Sequence, residues 1–484
     1  MTRSSRGGRS SPAQQVIDHL RAADRFPPGD PRREAAQRRA ARTVASAPEA
    51  LAHPALAGMA TQLAQWARFA PHLLSDAEEV ALAARSRSVV AEQLQVLRAL
   101  EESPDTRLDV ADAALRDLDA DDPQQRREAD IAAHRATDRR APVTAAVLGA
   151  LAACHLADDA QRGIADWRTR FAIVQGTSAP TLALVRDAVR AAQPSARRWW
   201  AVRSALVGGR YHDRRVGLAA PPASLTEHAA AAANGIASAA PPLAGAARAA
   251  AARIVPGADN QVVIEADGRI SATVAHRPTP RGGLMVAHET GHAMHALEAR
   301  SAEPPGALVG ETVACWSSLV TGGRVDGDAA LALALGDTLV EELFVSAAVS
   351  GFEDRVYSLV AAHGSVSVDS LNDAWLTSHR ELWGEAVVPD HIASGWARLP
   401  ALATDPGHAC SYVWATLLAL AMQARHGADG ERRIAAAVAA GGIGADEFTR
   451  VLGFDGDAWI GEGVAQLDLE LERLAQRIGS GAPA

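Results

Sequence analysis

The chain is poor in several residue types that mark particular protein classes. Three of its 484 residues are cysteines, and aromatic residues make up only 4%. Cys154, Cys315 and Cys410 lie far apart and form none of the close pairs typical of metal sites, so we expect a reducing compartment. No eighteen apolar residues follow one another without interruption, and no apolar run follows the basic, serine-rich N-terminus. These absences predict a soluble, cytoplasmic protein.

Lysine is absent as well, and all 48 basic residues are arginine. Acidic residues outnumber them, which leaves a formal net charge of −9. Proteins that bind nucleic acids or acidic membranes usually carry a basic surface, so we expect neither partner. The arginines between Arg32 and Arg39 alternate with Glu and Ala at helical spacing, which is typical of a solvated helix face.

Most of the chain before residue 203 predicts helices. Apolar residues recur at three- and four-residue spacing in Ala60–Phe69, Val80–Leu100 and Thr181–Ala192. Proline and aspartate interrupt this pattern in Phe26–Pro31 and Asp119–Pro123, which therefore predict loops.

A change of period predicts a small sheet later in the chain. Gln261–Val274 has β-branched residues on both sides of Asp267-Gly268, the pattern of a strand, a turn and a second strand. The segment ends shortly before the motif described next, so one strand could bind an extended substrate at the sheet edge. The alternative is an ordinary hairpin.

The chemistry of the chain is concentrated in the sequence LMVAHETGHAMHAL, which begins at Leu284 and predicts a helix. His288 and His292 are four residues apart and therefore lie on one helix face, as two imidazoles that bind one zinc ion require. Glu289 is placed to take a proton from a water molecule that the zinc activates. The alternative is that these histidines merely lie in a helix.

A catalytic zinc site needs a third protein ligand. Glu311 is our choice, because it begins an apolar helical segment 19 residues after His292, far enough for a second helix to pack on the first. Glu298 is too close on the same helix, and Glu303 lies in a proline-containing loop. His295 is expected to orient a ligand rather than to bind the metal.

These motifs resemble those of the thimet oligopeptidase and oligoendopeptidase F family of zinc peptidases, a gluzincin family. The resemblance rests on HETGHAMH and the Glu311-Thr-Val-Ala segment. Further matching segments follow in the order of the family: Phe352-Glu353, Gly364–Asn372, Leu382–Gly384 and Trp396–Pro400.

The resemblance implies a mainly α, two-lobed helical metallopeptidase fold with a small β-sheet beside the active-site helix and a deep cleft that admits short peptides. It implies one Zn²⁺ per chain. We therefore expect residues 16–203 to form an N-terminal helical lobe and residues 204–475 a catalytic lobe. Residues 1–15 and 476–484 are expected to be disordered tails.

The chain also departs from the family pattern. Ala401 stands where the family has a histidine, and His391 is a possible substitute. By alignment His408 takes the place of a family tyrosine and Tyr412 keeps one, which implies that both stabilise a developing oxyanion. Alternatively, His408 is a solvent-facing loop residue and Tyr412 a core aromatic. Arg398 could pair with a substrate carboxylate, although an arginine beside a tryptophan more often stacks or caps a helix.

The leading hypothesis is a zinc metalloendopeptidase or oligopeptidase acting on short peptides, with Glu289 as general base. The changed oxyanion donors favour, as an alternative, a specialised amide or peptide hydrolase of a biosynthetic pathway on the same scaffold. A third hypothesis is a non-catalytic, zinc-containing peptide-binding protein. The oligomeric state and the cleaved bond do not follow from the sequence.

Overall fold

The computed structural model describes residues 11–27, 30–103, 118, 120, 122–265, 269–299, 306–323, 328–384, 387, 392–399, 401–425 and 427–481. The α-helices within these ranges are α1 (Pro12–Ala23), α2 (Pro31–Ser46), α3 (Ala60–Phe69), α4 (Asp76–Glu102), α5 (Pro123–Arg162), α6 (Trp167–Gln175), α7 (Ala179–Ala191), α8 (Gln193–Val207), α9 (Leu225–Ala239), α10 (Ala244–Ala251), α11 (Pro280–Ala299), α12 (Ala307–Gly322), α13 (Ala329–Val340), α14 (Ser346–His363), α15 (Val368–Trp383), α16 (Ala401–Thr404), α17 (His408–Ala424), α18 (Ala428–Ala439), α19 (Ala445–Val451) and α20 (Ala458–Gly481). A π-helical turn, Glu341–Val345, joins α13 to α14.

Local sequence accounts for many helix starts. Pro12, Pro31 and Pro123 occupy the first helical turn, where a missing N–H costs nothing. Ser75 and Ser224 form capping boxes with the glutamates three residues later. The three helices predicted from periodicity are therefore confirmed, with α4 beginning earlier than its apolar pattern because of its cap.

Both predicted tails are shorter than expected. Residues 12–15 belong to α1, because the Ser11 side chain accepts a hydrogen bond from the Gln14 N–H at 3.2 Å. Residues 476–481 belong to α20, in which Leu471, Leu474 and Ile478 continue a buried apolar stripe.

The sheet has three strands in the order β1 (Ile254–Pro256), β3 (Ile270–Val274), β2 (Gln261–Ile264). β2 and β3 are antiparallel and pair Val262 with Ala272, as the hairpin pattern predicts; the turn residues 266–268 lie outside the described part. β1 runs parallel to β3 and was not predicted, because three residues are too few for a period to show. Ala272 and Val274 are buried where β3 packs on α11.

The main hydrophobic core runs from Ala141 to Ile478, and α12 packs between α11 and α17 near its centre. Trp199 and Trp200 of α8 belong to this core, and Trp199 donates a hydrogen bond to Asp337 at 2.9 Å. Buried packing is therefore continuous across residue 203, and the division into lobes at that residue stays a prediction. A smaller core between Ala13 and Leu63 joins the first helices.

Helix α5 is the one described helix that is long and apolar enough to cross a bilayer. Its most apolar 18-residue window has a mean hydropathy of 1.4, and half of that window is buried inside the protein. A core helix of a soluble protein meets the same criteria, and one such helix is weak evidence for a membrane span.

Candidate metal centre and active site

Three side chains from two helices converge where α11 packs on α12. His288 and His292 project from α11, and Glu311 projects from the first turns of α12. Glu311 Oε2 lies 3.3 Å from His288 Nε2 and 3.6 Å from His292 Nε2. The three candidate ligand atoms all lie within 4.8 Å of one another. The structure thus brings together the three residues proposed as ligands from the sequence.

Close approach of α11 and α12 makes this convergence possible. A Cβ atom on Gly291 would stand 2.8 Å from Cα of Ala314 and 2.6 Å from Oγ of Ser317, too close for any side chain. Ser318 Oγ donates a hydrogen bond to the Leu284 carbonyl at 3.0 Å and ties the two helices together.

The arrangement fits a tetrahedral metal ion. Ligand bonds of about 2.0–2.1 Å place neighbouring ligand atoms roughly 3.3 Å apart, close to the two observed separations. Glu311 Oε2 is buried and accepts no hydrogen bond from a described residue, so a ligand atom is left for an ion. Two imidazoles and one carboxylate are a donor set that suits zinc.

The charges of the site reinforce one another. Burial acts to lower the pKa of His288, but the nearby carboxylate of Glu311 raises it to about 9. Burial acts to raise the pKa of Glu311, and the two histidines together hold it well below its usual value. The carboxylate is therefore ionised, as a metal ligand must be.

Glu289 lies on α11 beside the first histidine and is buried. Burial raises the pKa of its carboxyl group, against the lowering effect of His288 and His292. A raised pKa makes a carboxylate a stronger proton acceptor. Glu289 lines the same cleft as His288, which is the position that a general base requires.

The cleft has a volume of about 340 Å³. Asn260, immediately before β2, lines it, and its side-chain oxygen accepts a hydrogen bond from the Ala275 N–H at 2.8 Å. The small sheet therefore borders the cleft, as the position of the hairpin in the sequence predicts.

Tyr412 and His408 both lie on α17, and the Tyr412 side chain lines the cleft. The Tyr412 ring stacks on the His288 ring, with centroids 6.1 Å apart and planes at 23°. Burial raises the pKa of Tyr412 above its ordinary value, so its hydroxyl group stays protonated and can donate. His408 packs edge-on against Tyr412 with ring centroids 5.2 Å apart, and Nδ1 lies 3.4 Å from Asp405 Oδ2. The hydrogen bond to Asp405 raises the pKa of His408.

Sequence reasoning missed Glu342, which lies on the π-helical turn. A ring nitrogen of His288, Cys315 Sγ and a Glu342 carboxylate oxygen lie within 4.8 Å of one another. Thr416 Oγ1 donates a hydrogen bond to Glu342 Oε2 at 3.3 Å, one helical turn after Tyr412. No local motif marks Glu342, although π-helical turns often occur at functional sites.

The remaining residues considered from the sequence are His295, Ala401, His391 and Glu303. His295 is fully buried, neither ring nitrogen has a hydrogen-bond partner among the described residues, and burial lowers its pKa to about 3. Ala401 begins the short helix α16. His391 and Glu303 lie outside the described residues.

Known structures share the fold. A putative peptidase from Chlamydophila abortus superposes with a TM-score of 0.73 at 13% identity, covering 97% of this chain and 88% of that chain. Oligoendopeptidase F from Enterococcus faecium gives 0.68 at 15% identity, with 97% and 91% covered. Trypanosoma cruzi metallocarboxypeptidase 1 gives 0.54 at 11% identity, with 96% and 98% covered.

No family model and no curated protein matches the sequence. Identities this low establish the fold alone. The predicted mainly α, two-lobed peptidase fold and the resemblance to oligoendopeptidase F are therefore confirmed at the level of structure.

Proposed function

We propose that this chain is a zinc-dependent metallopeptidase that hydrolyses peptide bonds in short peptides. The observation that carries the proposal is the convergence of His288, His292 and Glu311 beside the buried carboxylate of Glu289 in one cleft. A structural metal site has no use for a base with a raised pKa, whereas a hydrolytic site does.

The geometry supports a role for each of these residues. When bound by the three ligands, zinc would polarise the scissile carbonyl and lower the pKa of the attacking water. Glu289 takes the proton of this water and passes it to the leaving amine. Tyr412 donates a hydrogen bond to the oxyanion that develops on the carbonyl oxygen, and His408 supports the Tyr412 ring from its edge.

The test combines zinc content with cleavage of a mixed library of short peptides by the wild type and by Glu289→Gln. We expect one zinc per chain in both proteins and cleavage by the wild type alone. Absence of zinc from both proteins would overturn the proposal. Glu298→Gln, on the same helix, is a matched control that should retain cleavage.

A specialised amide or peptide hydrolase is a second candidate. The specific observation in its favour is that His408, an imidazole, lies against Tyr412 where the resembled family has a phenol, so the donor set differs. Zinc binding without cleavage of any library peptide by the wild type would favour this candidate, or a non-catalytic peptide-binding protein. Hydrolysis of one particular amide by the wild type would then favour the specialised hydrolase over the non-catalytic binding protein.

We further propose a cytoplasmic location and no nucleic-acid or membrane partner. The three cysteines are free, so they form no disulfide of the kind that stabilises many secreted proteins. Cell fractionation of the tagged chain tests the location.

A further inference from the structure

A second pocket adjoins the metal cleft. It has a volume of about 190 Å³ and shares two lining residues, Arg281 and Glu341, with that cleft. We name it the arginine pocket, after the four arginines that line it: Arg214, Arg215, Arg281 and Arg398. Three tryptophans also line it: Trp200, Trp375 and Trp383.

The cations of the arginine pocket are unevenly paired. Arg281 forms an ion pair with Glu341, and Arg214 lies 2.9 Å from Asp130. Asp337, the other acid in the lining, is 3.0 Å from Arg203. Arg215, in contrast, has no hydrogen bond or ion pair with any residue that the structure describes. Both acids of the lining are thus paired with arginines other than Arg215. The guanidinium group of Arg215 is left without an acidic partner among the described residues.

The surroundings of Arg215 disfavour the charge on its guanidinium group. Burial is the main cause that lowers the pKa of Arg215 to about 10, and the neighbouring charge of Arg281 adds to the effect, while Glu341 opposes it. Arg215 is partly buried, and a cation that has lost part of its hydration beside other cations is stabilised by an opposite charge. A bound anion would supply the missing partner.

The tryptophans give an independent observation. The indole N–H groups of Trp200, Trp375 and Trp383 are buried and have no hydrogen-bond acceptor among the described residues. Buried donors are nearly always satisfied by protein, water or ligand. The two acids of the lining, Asp337 and Glu341, are already paired with Arg203 and Arg281, and a bound carboxylate would add an acceptor on both of its oxygens.

The distance from the metal ligands suits a peptide. Arg281 precedes His288 by seven residues on α11, which corresponds to about 10 Å along the helix axis. An extended peptide covers about 3.3 Å per residue, so roughly three residues would reach from the candidate metal ligands to Arg281, which lines both the cleft and the pocket.

We propose that the arginine pocket binds a carboxylate group of the peptide substrate, held by Arg215. This inference rests on the proposed function and names its substrate class. The carboxylate is either the C-terminal α-carboxylate or the side chain of an Asp or Glu residue. Arginine suits it because its planar fork of donors matches the two carboxylate oxygens.

The experiment measures binding without turnover. Isothermal titration of the zinc-loaded Glu289→Gln protein uses octapeptides that carry one Glu at each position in turn, the matched Gln peptides, and each peptide with a free or amidated C-terminus. We expect one placement of the carboxylate to bind roughly 10- to 100-fold more tightly than its neutral partner. Loss of the preference on amidation identifies the α-carboxylate, and loss on Glu-to-Gln replacement identifies a side chain.

Arg215→Gln in the same background should abolish this preference and leave the affinity for neutral peptides unchanged. Arg432→Gln, an exposed arginine on α18, should retain it. Equal binding of charged and neutral peptides, or no binding of the charged ones, would overturn the inference and indicate a pocket that holds water. Cleavage by the wild type is scored separately, so the proposed function can survive this failure.

Discussion

Gly291 of α11 faces Ala314 of α12 at a distance that leaves no room for a side chain. A Cβ atom on Gly291 would be 2.8 Å from the Ala314 Cα, which is backbone and cannot rotate away. The same crossing carries His288 and His292 on one helix and Glu311 on the other. The spacing of these three candidate ligands therefore depends on the absence of a side chain at residue 291.

Gly291→Ala should push α12 away from α11 and lower zinc affinity. Overpacking at such a contact typically costs about 1–3 kcal/mol of stability. Zinc titration and thermal melting measure the two effects. Gly245→Ala on α10 is the control, because nothing lies within 4 Å of its added Cβ, and it should stabilise slightly, by about 0.5–1 kcal/mol. Unchanged zinc affinity in Gly291→Ala would show that the crossing does not set the ligand spacing.

Tyr412→Phe should lower kcat by about 100- to 1,000-fold, because it removes one donor to the developing oxyanion. Zinc content and KM should change little, since the ring and its stacking on His288 remain. The matched control is Tyr357→Phe. In the wild type the Tyr357 hydroxyl group forms a hydrogen bond with His155 Nδ1 at 2.9 Å, and Tyr357 does not line the cleft. That control should lose stability but keep kcat. Steady-state kinetics measure the change. A wild-type kcat in Tyr412→Phe would exclude a role for Tyr412 in stabilising the oxyanion.

Glu342→Gln should weaken zinc binding by roughly 10- to 100-fold, the usual effect of removing a group that orients a metal-bound histidine. His288 Nδ1 is buried without a hydrogen-bond partner among the described residues, and the Glu342 carboxylate is near the ring. Competition with a chelator of known affinity measures the change. Glu298→Gln, at the end of α11, should bind zinc like the wild type. Equal zinc affinity in the two variants would leave Glu342 without a part in holding His288.

The sequence allowed the site to be predicted where chemistry follows the period of one element. His288, Glu289 and His292 are neighbours on a single helix, so spacing alone places them. Glu311 needed a second helix, and its apolar flank was enough to indicate one.

Residues contributed by distant segments could not be found in this way. Arg215, in an irregular segment after α8, and Glu342, on a π-helical turn, carry no local motif, and tertiary packing alone brings them to the site. The three-residue strand β1 could not be predicted for a related reason. Its extended conformation depends on pairing with β3, and its own sequence is too short to show a pattern.

Glu353→Gln should change how stability depends on pH. Burial raises the pKa of Glu353 from 4.5 to about 8, although the Gly407 N–H donates to its Oε1 at 2.9 Å and Arg168 attracts it. Because the folded protein keeps the proton to a higher pH than the unfolded chain does, the free energy of unfolding is highest below about pH 4.5. It falls, by on the order of a few kcal/mol in all, as the pH rises from there through about 8. Glutamine stays neutral and keeps the acceptor for Gly407. The variant should therefore melt near the wild-type temperature at pH 5 and above it at pH 9. As a control, Glu472→Gln at an exposed position should have the melting temperature of the wild type at both pH values. If the melting temperature of Glu353→Gln instead changes with pH as that of the wild type does, Glu353 is already ionised at neutral pH.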